Sequence, residues 1–218
     1  MQKNLYSLIL SENVVAAIDR LAHSMNTNRS NMINQILAEY VSYVTPEKRM
    51  QQIFRRLETL MSQGDVFQIL AQPSDSVLQM RSALAFKYNP TVRYSVELYR
   101  QTAPAAGELR VSLRTQNSTL GLYVLQFFKL WLKIEHSYRP EAECMLEDGK
   151  FIKKLNIHLP REEAENVPAM LAEAISAYIS TFDSAMKAFF YQLNDPGAAA
   201  AEVERIYREY ISCCENPM

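Results

Sequence analysis

The chain is 218 residues long, 48% hydrophobic and 22% charged, with a formal net charge of −1 at pH 7. That balance excludes a disordered or collagen-like chain and supplies enough apolar residues for a sizeable core. It also gives weak electrostatics for nucleic acid, whose non-specific binding comes from phosphate neutralisation. Three cysteines, Cys144, Cys213 and Cys214, make no disulfide framework and fit a reducing compartment. The apolar start is short and interrupted by Ser and Glu, so no secretory signal is expected. Residues 120–134 are the most apolar later stretch, but Gln126, Lys129 and Lys133 argue against a membrane span. A cytoplasmic location is the expectation.

Residues 4–10, NLYSLIL, are rich in Leu, Ile and Tyr and too short for an ordinary helix, so they read as a strand. Ser11 or Asn13 caps the helix that follows, with Glu12 favourable near its first amides. Val14, Val15, Ile18, Leu21, Ala22 and Met25 recur at helical spacing. Asn26-Thr27-Asn28 is a turn, because Asn tolerates a left-handed backbone. A second helix starts at Asn28 and carries Met32, Ile33, Ile36, Leu37, Tyr40, Val41 and Val44.

A strand and two helices in residues 1–45 cannot close a core alone, because the strand edge and the apolar stripes stay open. Two copies solve both problems if the strands pair antiparallel above four helices, so a homodimer or higher even oligomer is expected. In this order of elements the stretch resembles the ribbon-helix-helix superfamily of bacterial DNA-binding proteins. The residues that carry the likeness are the alternating segment 5–10, Ser11-Glu12, and Asn26-Thr27-Asn28-Arg29-Ser30. It covers roughly a fifth of the chain.

The resemblance implies a paired ribbon in the major groove of double-stranded DNA. Lys3, Leu5, Ser7 and Ile9 would then face the bases, with Tyr6, Leu8 and Leu10 inward. Ser7 offers a base a hydrogen bond, and Leu5 and Ile9 suit thymine methyls, but no bidentate reader is present. Asn28, Arg29 and Ser30 would open the second helix as a phosphate clamp. The competing reading is an interaction protein, an antitoxin or adaptor, whose aliphatic ribbon face binds a polypeptide.

Thr45-Pro46-Glu47 is a strong helix start. The helix runs to about Ser62 and joins the two domains across residues 46–63. It buries Met50, Ile53, Phe54, Leu57, Leu60 and Met61, and sets Lys48, Arg49, Arg55 and Arg56 on its other side. Residues 64–218 form one α+β domain of unknown role, matching no family recognised from sequence. After a short apolar element at 65–71, three strands alternate through Leu78–Tyr88, Val92–Leu98 and Leu109–Leu113. They predict an antiparallel sheet with one buried face. Asn117 or Ser118 caps a long helix to about Tyr138, covering that face through Leu122, Leu125, Phe128 and Leu132. Residues 139–150 read as a loop, and 151–159 as a fourth strand. Helices from near Val167 to Leu193 and from about Ala198 to Cys213 complete an α+β fold.

No glycine-rich phosphate loop, no G-x-S-x-G and no His or Cys pair at metal spacing occurs, so neither an enzyme nor a cofactor is expected. Pairing Phe86 with Tyr94 and Tyr94 with Leu113 puts Lys87, Arg93 and Arg114 in one row on the solvent face. Glu97 would then oppose Arg110 in the neighbouring row. Opposed like charges are destabilising, so the row invites an anion: DNA phosphate, an anionic small ligand, or a carboxylate from residues 141–148. The expected function is a dimeric DNA-binding transcriptional regulator, whose C-terminal domain sets assembly, ligand response or protein partner.

Overall fold

The computed structural model describes residues 7–41, 43–71, 74–100, 105–156 and 167–214. The chain divides into two compact units, residues 1–49 and 50–218.

In the first unit, helix α1 spans Glu12–Ser24 and helix α2 spans Arg29–Tyr40. Ser11 takes the extended conformation of a cap residue, yet its side chain makes no capping bond. Asn28 does cap, its side-chain oxygen accepting from the Asn31 amide at 2.9 Å. Between the helices Asn26 adopts φ 49°, the left-handed geometry expected of the turn. Ile18, Ala22 and Met32 are buried where the helices meet, with Ile33 packed beside them. Leu21, Met25, Ile36, Leu37, Tyr40 and Val41 lie exposed. Residues 7–10 have no regular secondary structure and are exposed, unlike the expected strand. A strand needs a hydrogen-bonded neighbour, and among the described residues these have no strand partner.

The second unit is built on a six-stranded antiparallel sheet ordered β1-β2-β3-β4-β6-β5. Its strands are β1 (Phe67–Ile69), β2 (Val77–Ala83), β3 (Thr91–Leu98), β4 (Gly107–Leu113), β5 (Cys144–Glu147) and β6 (Lys150–Lys154). The three or four strands expected therefore become six. The short apolar element at 65–71 contains β1, and the loop expected at 139–150 contains β5. Its signal was Asp148-Gly149, both at positive φ, the dipeptide that closes a tight hairpin between β5 and β6. The fourth strand expected from 151 to 159 runs instead from Lys150 to Lys154 as β6, and residues 157–159 lie outside the described residues.

Strand β2 stops at Ala83 rather than at the expected Tyr88. Tyr88 and Asn89 have φ of 68° and 44°, and the Leu84 amide donates to the Pro90 carbonyl at 2.8 Å, so the chain turns where alternation suggested extension. The register moves with it: Met80, not Phe86, opposes Tyr94, and Val111, not Leu113, opposes Tyr94 on the other side.

One face of the sheet is buried. Leu78, Met80, Tyr94, Val96, Leu109, Val111 and Phe151 are essentially inaccessible. They share a core with helices α3 (Pro46–Met61), α4 (Ser118–Tyr138), α5 (Val167–Tyr191) and α6 (Pro196–Cys213). From α3 come Met50, Ile53, Phe54, Leu57 and Met61, so the connector helix is integral to this core from Met50 onward. Fully burying a side chain such as Leu57 contributes about 1.5–3 kcal/mol. In α4 the stripe is rotated from the expected one. Leu122 is exposed, while Leu120, Val124, Phe127, Phe128, Trp131 and Ile134 are buried, because the large aromatic side chains remove more apolar area from water than the leucines. Phe182 of α5 is the hub, with ring centroids 5.0 Å from Trp131, 5.1 Å from Phe151 and 5.3 Å from Phe127.

Candidate nucleic-acid interface

The helix start expected to hold phosphate is built from local chemistry. Asn28 is extended, α2 begins at Arg29, and the Asn28 side chain occupies the amide of Asn31. A helix leaves its first amides without intrahelical partners, so those of Arg29 and Ser30 remain the donors at this end. Both side chains are exposed. The sequence did not reveal the partner of Arg29. Its Nε donates to Asp19 Oδ1 at 2.7 Å and its Nη2 to Oδ2 at 2.6 Å. Hydrogen bonding by Arg29 lowers the Asp19 pKa, with a further push from the guanidinium charge, and the same pair raises that of Arg29. The i-to-i+10 spacing joins the middle of α1 to the start of α2, a relation that helical periodicity within one element does not show.

Among the other expected groove-facing residues, Ser7 and Ile9 are exposed, and Ile9 is fully so. Lys3 and Leu5 lie outside the described residues. Of the cations on α3, Lys48 pairs with Glu39 at 3.1 Å and Arg56 with Glu173 at 2.9 Å. Arg55 borders an open cleft lined also by Gln51, Phe54, Glu58 and Asp75, whose two carboxylates disfavour an anion there.

The row Lys87–Arg93–Arg114 does not form. Lys87 lies in the turn after β2, where its ammonium sits 5.1 Å from the Tyr88 ring centroid, and Arg114 lies beyond the end of β4. Arg93 instead faces Arg81 on one side and Ser112 on the other. Nor does Glu97 directly oppose Arg110: Glu97 faces Glu108, and Arg110 faces Ser95. Arg110 still reaches Glu97 diagonally at 3.2 Å and pairs with Glu108. Glu108 is buried, which alone would raise its pKa. Hydrogen bonds from Lys154 and Tyr99, with the charges of Arg110 and Lys154, hold it below the usual range.

A second polar cluster is wholly interior and was missed from sequence. Glu135 accepts from Lys153 Nζ at 3.0 Å, from Tyr207 OH at 3.1 Å and from Tyr178 OH. Trp131 Nε1 donates to Tyr178 OH at 2.8 Å. Glu135 and Lys153 are buried, and every member points at another, which makes the cluster a satisfied core network. Among the described residues, no group of three or more His, Cys, Asp or Glu side chains is arranged to hold a metal, and no helix is long and apolar enough to cross a membrane.

The chain matches no family model, no curated protein and no solved structure.

Proposed function

We propose that this protein is a dimeric DNA-binding regulator of ribbon-helix-helix type, with residues 4–10 pairing between copies and the start of α2 resting on phosphate. The observation that carries the reading is the unfinished core of the first unit. Three residues are buried where α1 and α2 meet, while Leu21 is 47%, Ile36 39% and Leu37 51% exposed on the same two helices. Two such half-cores complete one another, and the segment at residues 7–10 gains a strand partner in the same step. The resulting dimer presents two helix starts, each with free amides, Arg29 and Ser30, at symmetric positions suited to a duplex. With Ser7 the only good direct reader in the groove-facing set, specificity leans on DNA shape and water.

Selection of bound duplexes from random DNA, with the full-length protein across a salt series, tests this. A two-fold symmetric motif is expected, with Arg29→Ala weakening binding to all sequences and lowering the salt slope by about one unit. Absence of both enrichment and salt-dependent retention overturns DNA binding. The exposed Leu8 and Ile9 favour a second reading, in which the ribbon binds a polypeptide; that reading gains if the protein dimerises but retains no DNA.

A further inference from the structure

The exposed face of the six-stranded sheet pairs its charges with one exception. At Glu97 and Glu108 two carboxylates stand directly opposed across β3 and β4, and two cations neutralise them: Arg110 bonds to both, and Lys154 Nζ lies 2.5 Å from Glu108 Oε2. Four residues along β3 the sheet opposes two cations, Arg81 on β2 and Arg93 on β3. No carboxylate answers them among the described residues. The flanking register positions are neutral, Gln68 beyond Arg81 and Ser112 beyond Arg93. Gln68 Oε1 accepts from Arg81 Nε at 2.8 Å, which fixes that guanidinium by its inner nitrogen and leaves its two terminal nitrogens for another acceptor. Arg93 makes no ion pair with a described residue. Both arginines are exposed, and Ser112 is half-buried.

Directly opposed like charges weaken a sheet, and a planar fork of N–H donors matches the oxygens of a phosphate. Two adjacent forks carry two positive charges. A terminal phosphate monoester, with nearly two negative charges above its second pKa of about 6, balances them; a phosphodiester, with one, does not. We propose that Arg81 and Arg93, assisted by Ser112, form a binding site for a phosphate monoester dianion on the open face of the C-terminal sheet. The site is independent of the DNA-binding reading, since it uses neither residues 1–45 nor the helix start at Arg29.

The test is calorimetric titration of the full-length protein with phenyl phosphate and, separately, inorganic phosphate, at about pH 8 and constant ionic strength. Saturable binding of both is expected, weakened at least tenfold in Arg81→Gln and in Arg93→Gln and unchanged in Lys87→Gln. Arg93→Lys, which keeps the charge but loses the fork, should fall between. Binding of phenyl phosphate alone would assign the site to organic monoesters, and binding of both to the phosphate group itself. A thermal melt without phosphate guards against misfolding: Arg93→Gln should melt no lower than the parent, because it relieves the opposed charges. Absence of saturable binding, or binding untouched in both glutamine variants, overturns the proposal. A drop of about two units in the DNA salt slope on removing both arginines also overturns it, by making the pair a backbone contact.

Discussion

Arg29 at the first position of α2 grips Asp19 in the middle of α1 through two near-parallel bonds, of 2.7 and 2.6 Å. A carboxylate thus occupies the guanidinium fork that the proposed function would aim at DNA. Neutralising it should release Arg29, so Asp19→Asn is expected to tighten retention of every duplex and to steepen the salt slope by up to about one unit. Salt-series binding of this variant beside Arg29→Ala checks the expectation. The same pair makes stability pH-dependent. The Asp19 pKa is lowered by folding, so its contribution is present above the unfolded value, near pH 4, and is lost as pH falls through the folded value. Asp19→Asn should flatten that part of the acid limb in a melt-against-pH series.

The buried Glu135–Lys153 pair, 3.0 Å apart, predicts an asymmetric mutational response. Removing one partner of a buried pair leaves an uncompensated charge and costs about 3–5 kcal/mol. Lys153→Met should therefore destabilise the protein by about that amount in urea unfolding. Adding Glu135→Gln to it should recover part of the loss, because the neutral amide removes the uncompensated charge and its one carbonyl oxygen still accepts from one of the two tyrosines. A strictly additive double variant would show that the pair is not coupled.

Gly107 opens β4 where it lies against β3, and a Cβ there would sit 2.1 Å from the Glu97 carbonyl oxygen. That atom belongs to the backbone and cannot rotate away. Gly107→Ala should therefore cost about 3 kcal/mol, at the upper end for overpacking, whereas Gly64→Ala, with nothing within 4 Å of the added carbon, should stay within about 1 kcal/mol of the parent. Paired urea titrations distinguish them.

Cys144 and Cys213 should differ sharply toward alkylation. Burial pushes the Cys144 thiol up to about 12, only partly offset by the nearby Lys153 ammonium, so at pH 8 its thiolate fraction is about one in ten thousand. Cys213 is exposed. Iodoacetamide at pH 8 followed by peptide mass spectrometry should label Cys213 in the native protein, and Cys144 at a comparable rate only after denaturant is added.

Much of the architecture was legible in the residues. The Asn26 turn, the Asn28 and Asn117 caps, the Pro46 helix start and the core faces of β2, β3 and β4 all depend on chemistry within a few positions. Even the misjudged register preserved those faces. The pairing of β3 moved by six residues against β2 and by two against β4, and even shifts leave every side chain on its original side of the sheet. The row of cations had no such protection, because which arginine meets which depends on where each turn falls. Tyr88 and Asn89 took left-handed conformations that ended β2 early, so Arg81 rather than Lys87 came to oppose Arg93. The bonds from Asp19 to Arg29, from Glu135 to Lys153, and from Tyr94 to Asp183 at 2.9 Å span 10, 18 and 89 positions. Periodicity reports which face a residue occupies on its own element. It is silent on the partner across the gap, which is fixed only when helices and strands from distant parts of the chain pack together and a buried charge must find its complement.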